Sequence, residues 1–292
     1  MKYITLIILI QFLPNLSVQI QQEICINHLS VDRHSTIVDL SYNNLYSIDQ
    51  SIVANLNTIS SLILHHNHIY NLSNSKLNSS SLKTLDLRSN RIEFIPLDTF
   101  VNLVNLEILD LKNNRLKWLK DINLPIKLKE LILSSNRIKA ISHNFFEKLN
   151  LTKLDLRMNE IVTLNGTGLE NLSFLTHLYL GENTIDFLHE NMLLSSSKTL
   201  RVLNIESNYF KSLNFGLENL VNLKKLSASF NLIQQVKNDL FKKLEKLDYL
   251  DLSSNDLKHY PLLDNALPSL RVFKINNNSI NKISKSFLKF SK

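Results

Sequence analysis

Leucine, isoleucine and valine recur along this chain in a fixed order, with one asparagine in each unit. Residues 82–92 read LKTLDLRSNRI and fit the template L-x-x-L-x-L-x-x-N-x-L. The template returns every 22 to 25 residues, and its asparagines form a series of eleven: Asn43, Asn67, Asn90, Asn114, Asn136, Asn159, Asn183, Asn208, Asn231, Asn255 and Asn278. A period of this length predicts a solenoid whose units pack only against their neighbours.

Alternation within each unit predicts a short strand. In residues 106–116, Leu109 and Leu111 face one side of the strand, whereas Asp110 and Lys112 face the other. Stacked units then form a parallel sheet with an aliphatic interior. Each buried aliphatic side chain contributes about 1.5–3 kcal/mol, so stacking can offset the entropy lost on ordering the chain.

Two further apolar positions follow each fixed asparagine. The first comes five residues later: Ile48, Leu72, Ile95, Leu119, Ile141, Leu164, Leu188, Leu213, Val236, Tyr260 and Ile283. The second comes ten residues later in five units: Phe100, Phe146, Leu169, Leu193 and Phe241. We expect the first column to continue the core and the second to fill its convex side.

The asparagines themselves are predicted to be structural. A sharp turn after each strand leaves backbone groups without sheet partners, and an amide carries both donors and an acceptor. One buried asparagine can therefore bond to the backbone of its own turn and of the adjacent turn.

These columns resemble the repeats of extracellular leucine-rich proteins, including Toll-type receptor ectodomains and leucine-rich immune proteins of insects. The resemblance covers residues 35–287. It implies an α/β leucine-rich repeat solenoid of about eleven repeats, a right-handed curved superhelix with a parallel sheet on its concave face and an irregular or short-helical convex side. It also implies binding of a protein or microbial ligand. The sequence has no phosphate-binding glycine-rich loop, paired-cysteine metal motif or nucleophile elbow, so neither catalysis nor a cofactor is predicted.

The start of the chain has the composition of a targeting segment. Residues 1–17 contain Lys2 and the apolar run ITLIILIQFL, which is too short to span a bilayer and suits a signal peptide. We assign residues 18–34 to an N-terminal cap and residues 35–292 to the repeat domain, with 281–292 as a short C-terminal cap. No later stretch has the ~20 apolar residues of a membrane helix, so we expect a secreted, extracellular protein.

The single cysteine, Cys25, lies in the predicted N-terminal cap. Relatives of this class usually close their caps with several disulfides, and this chain departs from that pattern. Cys25 either links two chains in a disulfide-bonded dimer or remains a buried free thiol.

Apolar residues at outward strand positions suggest a binding surface on the concave face. The candidate residues are Ile108, Ile132, Lys153, Arg157, Met158, His177, Tyr179 and Val202. A second group contains Phe230, Tyr249 and Val272 near Lys225 and Lys274. A contiguous exposed apolar row with aromatic and arginine anchors is typical of an interface. The alternative is a set of scattered surface hydrophobic residues.

Three other features have mainly structural interpretations. His65, His66 and His68 are close enough to suggest a metal site, but successive strand residues diverge, so a solvated strand end is favoured and no metal is predicted. Trp118 is expected to be a partly buried packing residue. The column Asp39, Asp86, Asp110, Asp155 and Asp251, followed by Arg88, Lys112 and Arg157, suggests a weak surface ion-pair ladder.

The net charge of +7 permits weak binding to glycans or anionic surfaces. The basic residues are spread along the sequence, which argues against nucleic-acid recognition. Candidate glycosylation sites are Asn71, Asn78, Asn150, Asn165 and Asn171.

The main functional hypothesis is therefore a secreted binding protein for a protein ligand, or for a microbial or host surface, in immune recognition or as a soluble receptor-like decoy. The alternative is a matrix or adhesion component that binds glycans or matrix proteins.

Overall fold

The computed structural model describes residues 36–48, 56–73, 77–120, 122–261, 263 and 267–282. The predicted signal peptide, the N-terminal cap with Cys25 and most of the predicted C-terminal cap lie outside the described residues.

The described residues contain thirteen short strands. They are β1 Ile37–Asp39, β2 Ser61–Ile63, β3 Thr84–Asp86, β4 Ile108–Asp110, β5 Trp118–Leu119, β6 Glu130–Ile132, β7 Ala140–Ile141, β8 Lys153–Asp155, β9 His177–Tyr179, β10 Val202–Asn204, β11 Lys225–Ser227, β12 Tyr249–Asp251 and β13 Val272–Lys274. Eleven of them form one parallel sheet in chain order, and β5 pairs with β7 beside it.

Consecutive strands of the large sheet pair without an offset. Leu109 in β4 lies opposite Leu85 in β3 and Leu131 in β6, so the middle strand residues form one column, which is buried from β2 to β12 and partly buried at β1 and β13. The first and third residues of each strand form two outward columns on the concave face. We call these the first and second outward columns.

The core continues behind the sheet to the convex side. Phe100, Phe146 and Phe241 are fully enclosed there, and Leu169 and Leu193 are buried as predicted. Regular structure on the convex side of the described residues is limited to the 3-10 helices Leu56–Thr58, Leu169–Asn171 and Leu217–Asn219. The predicted leucine-rich repeat solenoid, with a concave parallel sheet and a mostly irregular convex side, is confirmed.

The fixed asparagines connect adjacent turns of the solenoid. Asn159 Nδ2 donates to the carbonyl oxygens of Leu133 and Leu156, at 3.0 Å each, and Oδ1 accepts from the Ile138 N–H at 3.0 Å. The same three bonds recur at Asn67, Asn90, Asn114, Asn136, Asn183, Asn208, Asn231, Asn255 and Asn278. Each amide therefore supplies hydrogen bonds that neither turn could make alone.

The residue before each fixed asparagine has a left-handed backbone. Its φ lies between 51° and 57° at Tyr42, His66, Ser89, Asn113, Ser135, Met158, Glu182, Ser207, Phe230, Ser254 and Asn277. This conformation costs roughly 1–2 kcal/mol for a residue other than glycine. The bonds of the neighbouring asparagine hold the turn. The side chain of the left-handed residue therefore projects at the rim of the concave face even when that side chain is large and apolar, as at Phe230.

Replacing Asn159 with aspartate tests the amide's role as a donor. Asn159→Asp keeps the acceptor for Ile138 but places carboxylate oxygens against the Leu133 and Leu156 carbonyls. We expect the free energy of unfolding to fall by about 3 kcal/mol at neutral pH, because two buried carbonyls lose their donor. The introduced carboxyl group should have a raised folded-state pKa, so stability should recover as the pH falls through that pKa.

Urea denaturation between pH 4 and pH 8 measures this effect. Asn102→Asp, at an exposed position, is the matched control and should change stability by no more than about 0.5 kcal/mol. Equal losses at both positions, or no recovery at low pH for Asn159→Asp, would contradict the donor role.

Candidate binding surface on the concave face

The concave surface is made of the two outward columns and the residues that follow the strands. Ile108, Lys153, His177 and Val202 lie in the first outward column, Ile132 and Tyr179 lie in the second, and Arg157 and Met158 follow β8. The side chain of Met158 is half exposed at the rim. All eight predicted residues therefore lie on one face.

A fixed arginine–tyrosine pair forms the centre of this surface. Arg157 Nε and Nη2 donate to the two carboxylate oxygens of buried Asp155, at 3.0 and 2.7 Å. The Arg157 guanidinium carbon lies 4.8 Å from the centroid of the Tyr179 ring. A two-point ion pair restricts guanidinium rotation, so the cation is held over the tyrosine before any ligand arrives.

His177 extends this centre into the first outward column. Its ring centroid is 6.2 Å from that of Tyr179, with 26° between the planes, and its Nδ1 lies 2.8 Å from Thr176 Oγ1. Burial lowers the pKa of His177 below its ordinary value of 6.5, and the positive charges of Lys153 and Arg201 lower the pKa further. The imidazole is therefore favoured in its neutral form. We call Asp155, Arg157, His177 and Tyr179 the central cluster.

The remaining apolar residues do not complete a continuous row. Ile108 lies between Thr84 and Glu130 in its column, and Ile132 is flanked on both sides by aspartates. The predicted contiguous apolar row is therefore wrong, because polar residues occupy intervening positions in both columns. The surface is a mixed one with an aromatic and cationic centre.

Two glutamates of this surface, Glu130 and Glu206, were not singled out from the sequence, whereas Asp155 belongs to the expected ion-pair ladder. Asp155 orients Arg157, Glu130 forms a 3.0 Å ion pair with Lys153, and the charge of Glu206 also acts on Arg157. Gly181 lies between the Arg157 and Glu206 positions, and a Cβ there would approach Glu206 Cγ to 2.9 Å. Glu130 lies in the first outward column and Glu206 lies two residues after β10, so strand position was the available signal, but only apolar, aromatic and basic residues were selected.

A second cluster with the same elements lies toward the C-terminal end of the sheet. Tyr249 Oη donates to Asp251 Oδ2 at 3.1 Å, and Lys274 Nζ lies 5.4 Å from the Tyr249 ring centroid and 3.7 Å from Asp251. Phe230 is 61% exposed at the adjacent rim. The concave face therefore offers two tyrosine–cation–aspartate groups.

The aspartates of the second outward column primarily close turns. Asp86 Oδ1 accepts the backbone N–H of Arg88 at 3.1 Å, and Asp110 Oδ1 accepts that of Lys112 at 2.9 Å. Arg88 also forms an ion pair with Asp86 at 3.2 Å, but among the described ion pairs none joins Lys112 to Asp110. The expected ion-pair ladder is therefore incomplete, and the common feature of these aspartates is a carboxylate that accepts the backbone N–H two residues later.

The histidine cluster packs as an aromatic group. The Nδ1 atoms of His65 and His66 lie 2.9 Å apart, and the Tyr42 ring stacks on His66 with centroids 4.5 Å apart. His68 instead contacts Tyr46, at 5.5 Å between centroids. Throughout the described part of the chain, no three histidine, cysteine or acidic side chains are placed to hold one metal ion.

Trp118 lies on the lateral side and is 55% exposed. The expectation that it is partly buried packing is wrong. Leu119 faces the core from β5, so strand alternation turns Trp118 outward.

Most candidate glycosylation sites are accessible. Asn78, Asn150, Asn165 and Asn171 are exposed. Asn71 is half-buried, and its Oδ1 accepts the Ser73 N–H at 2.7 Å. Glycosylation of these five residues stays a prediction.

Comparison with known proteins agrees with this geometry. Residues 80–121, 126–185, 150–210 and 198–257 match the leucine rich repeat family, and together these segments cover more than half of the chain. The chain belongs to the leucine-rich repeat family.

Similar curated proteins include rat osteomodulin, at 30% identity in an alignment of 187 residues that covers 62% of this chain and 43% of the relative. Human Toll-like receptor 3 is 28% identical in an alignment of 233 residues that covers 70% of this chain and 25% of the receptor. The chain thus spans less than half the length of these relatives.

Solved structures also share this repeat chain's fold. A leucine-rich repeat protein of Leptospira interrogans matches with a TM-score of 0.74 and 26% identity over 86% of this chain and 63% of that one. A chain of the mouse RP105/MD-1 complex matches with a TM-score of 0.73 and 25% identity, covering 87% of this chain and 44% of that one. Across the described ranges, no helix has the length and apolarity of a membrane span.

The titration of His177 is directly measurable. NMR titration should give a midpoint below 6.5, and Lys153→Gln should raise that midpoint because one nearby positive charge is lost. The lowered folded-state pKa means that the His177 contribution to stability is present above pH 6.5 and is lost as the pH falls through the folded-state pKa.

Lys258→Gln is the control for this titration. Lys258 is exposed and follows a ladder asparagine several repeats away, so its loss should leave the midpoint unchanged. A His177 midpoint at or above 6.5 would show that the ring is not held in its neutral form.

Proposed function

We propose that this chain is a secreted leucine-rich repeat binding protein that recognises a protein ligand through the central cluster of its concave face. In this role it acts in immune recognition or as a soluble receptor-like decoy, without catalysis. The fixed Arg157–Tyr179 pair is the observation that supports the proposal most directly.

The energetics of interfaces support this choice of residues. Tyrosine and arginine are among the residues that most often dominate protein-binding energy, and they do so when their conformations are fixed before binding. Asp155 holds Arg157 in place, and the rigid β8 and β9 strands carry the neighbouring groups. Few side chains of this surface therefore have to become ordered when a ligand covers Tyr179.

Similar proteins support binding in general terms. One relative is a Toll-like receptor by name, and one similar solved chain comes from the RP105/MD-1 complex. The apolar run in residues 4–13 supports export. Recovery of the expressed protein from the cytosol, with none in the culture medium, would contradict export.

The binding proposal is tested with a double variant of the central cluster. The wild-type chain is screened against an array of purified extracellular proteins, and the affinity for each partner is measured by interferometry. Arg157→Ala/Tyr179→Ala should weaken binding of the cognate partner about tenfold or more, because both anchors of the interface are lost.

The matched control is Arg137→Ala/Phe187→Ala, which removes one arginine and one exposed aromatic from the lateral side. It should leave the affinity within about twofold of wild type. Equal affinity of the cluster variant and wild type for every captured partner would place the interface elsewhere.

A further inference from the structure

Five exposed cations line the lateral side on which the chain enters the last strands of the sheet. They are Lys198, Arg201, Lys224, Lys246 and Arg271, and we call them the lateral basic strip. They are separated by up to 73 residues in sequence. The expectation that basic residues are spread without clustering is therefore wrong for this side of the protein.

Repeat register brings the strip together in two rows. Backbone hydrogen bonds of 2.8 Å connect the first row. The Lys224 N–H donates to the Arg201 carbonyl, the Asp248 N–H to the Lys224 carbonyl, and the Arg271 N–H to the Asp248 carbonyl. In the second row, Asn222 Nδ2 donates to the Lys198 carbonyl at 2.6 Å, and Lys246 Nζ donates to Asn222 Oδ1 at 2.5 Å. Successive positions in such rows are about 4.8 Å apart, the spacing of neighbouring strands.

The charges of the strip are not neutralised by ion pairs among the described residues. None of them takes part in the ion pairs formed by the described residues, which involve other lysines and arginines. Of the described residues that line the two shallow grooves here, Asp248 is the single carboxylate. Thr199 and Ser269 add hydroxyl groups between the charges.

We propose that the lateral basic strip binds a linear sulfated polysaccharide of the glycosaminoglycan class. Its groups form rows that run from turn to turn, so an extended chain with repeated negative charges can contact several of them at once. Lysine, arginine, hydroxyl and amide donors match sulfate oxygens and sugar hydroxyls. The grooves are open and polar, whereas a protein partner would be expected to use a packed aromatic or aliphatic anchor.

This inference is independent of the concave-face proposal. The strip lies beside the central cluster, since Arg201 precedes Val202 of β10, but its members are not part of that cluster. Loss of protein binding through Tyr179 would therefore leave the glycan site intact, and the two proposals can fail separately.

The test uses a size-defined heparin oligosaccharide and calorimetry at 0.15 M salt. Arg201→Ala/Lys224→Ala/Lys246→Ala should weaken binding about tenfold or more and flatten the dependence of affinity on salt, because three charge contacts are lost.

Arg115→Ala/Lys117→Ala/Lys139→Ala is the control. It removes the same charge from exposed positions on the opposite lateral side and should weaken binding less than about twofold. Thermal melts verify that both triple variants fold, and Lys224→Glu alone should reproduce the loss in part.

Several outcomes would overturn the proposal. Failure of the wild-type chain to bind heparin is one such outcome, and equal loss of affinity in both triple variants, which is expected if only net charge matters, is another. Equal binding of desulfated heparin would exclude sulfate recognition. Binding of duplex DNA or poly-glutamate as tightly as heparin, with the same loss in the strip variant, would assign the strip to another class of polyanion.

Discussion

The hydrogen bonds of one buried amide per repeat hold this solenoid in register. At Asn159 the side chain joins carbonyls of its own turn and of the turn before it, and accepts an N–H from the previous repeat. Apolar stacking drives association of the repeats but is non-directional. The amide bonds are directional, so they align adjacent turns and hold the residue before each asparagine in a left-handed conformation.

Because the repeats stack in register, residues that are far apart along the chain lie side by side on the surface. Residues about one repeat apart become neighbours at roughly the 4.8 Å spacing of strands. Arg157 thereby reaches Tyr179, which is 22 residues away in sequence, and Asp155 fixes the contact. The same relation gathers the lateral basic strip from residues in four different repeats.

The surface residues therefore have different structural roles in different columns. Strand aspartates mainly close turns, as Asp110 does for Lys112. Where a cation and a tyrosine occupy neighbouring positions, the same aspartate also orients the cation, as Asp155 and Asp251 do. The scaffold is repetitive, so one part of its surface differs from another only in which side chains come into contact across consecutive repeats.

The spacing of leucines and asparagines determined the fold, because the side-chain period of a strand and the repeat length decide which residues face the core. It also determined that Phe100, Phe146 and Phe241 fill the convex side. Only the tertiary structure decided the surface: that Trp118 points outward, that polar residues interrupt the apolar row at Ile108 and Ile132, and that distant cations form a strip. Core positions repeat with one chemistry in every unit, so a period suffices to predict them. Surface contacts depend on the particular side chains that register places side by side, and no single repeat contains that information.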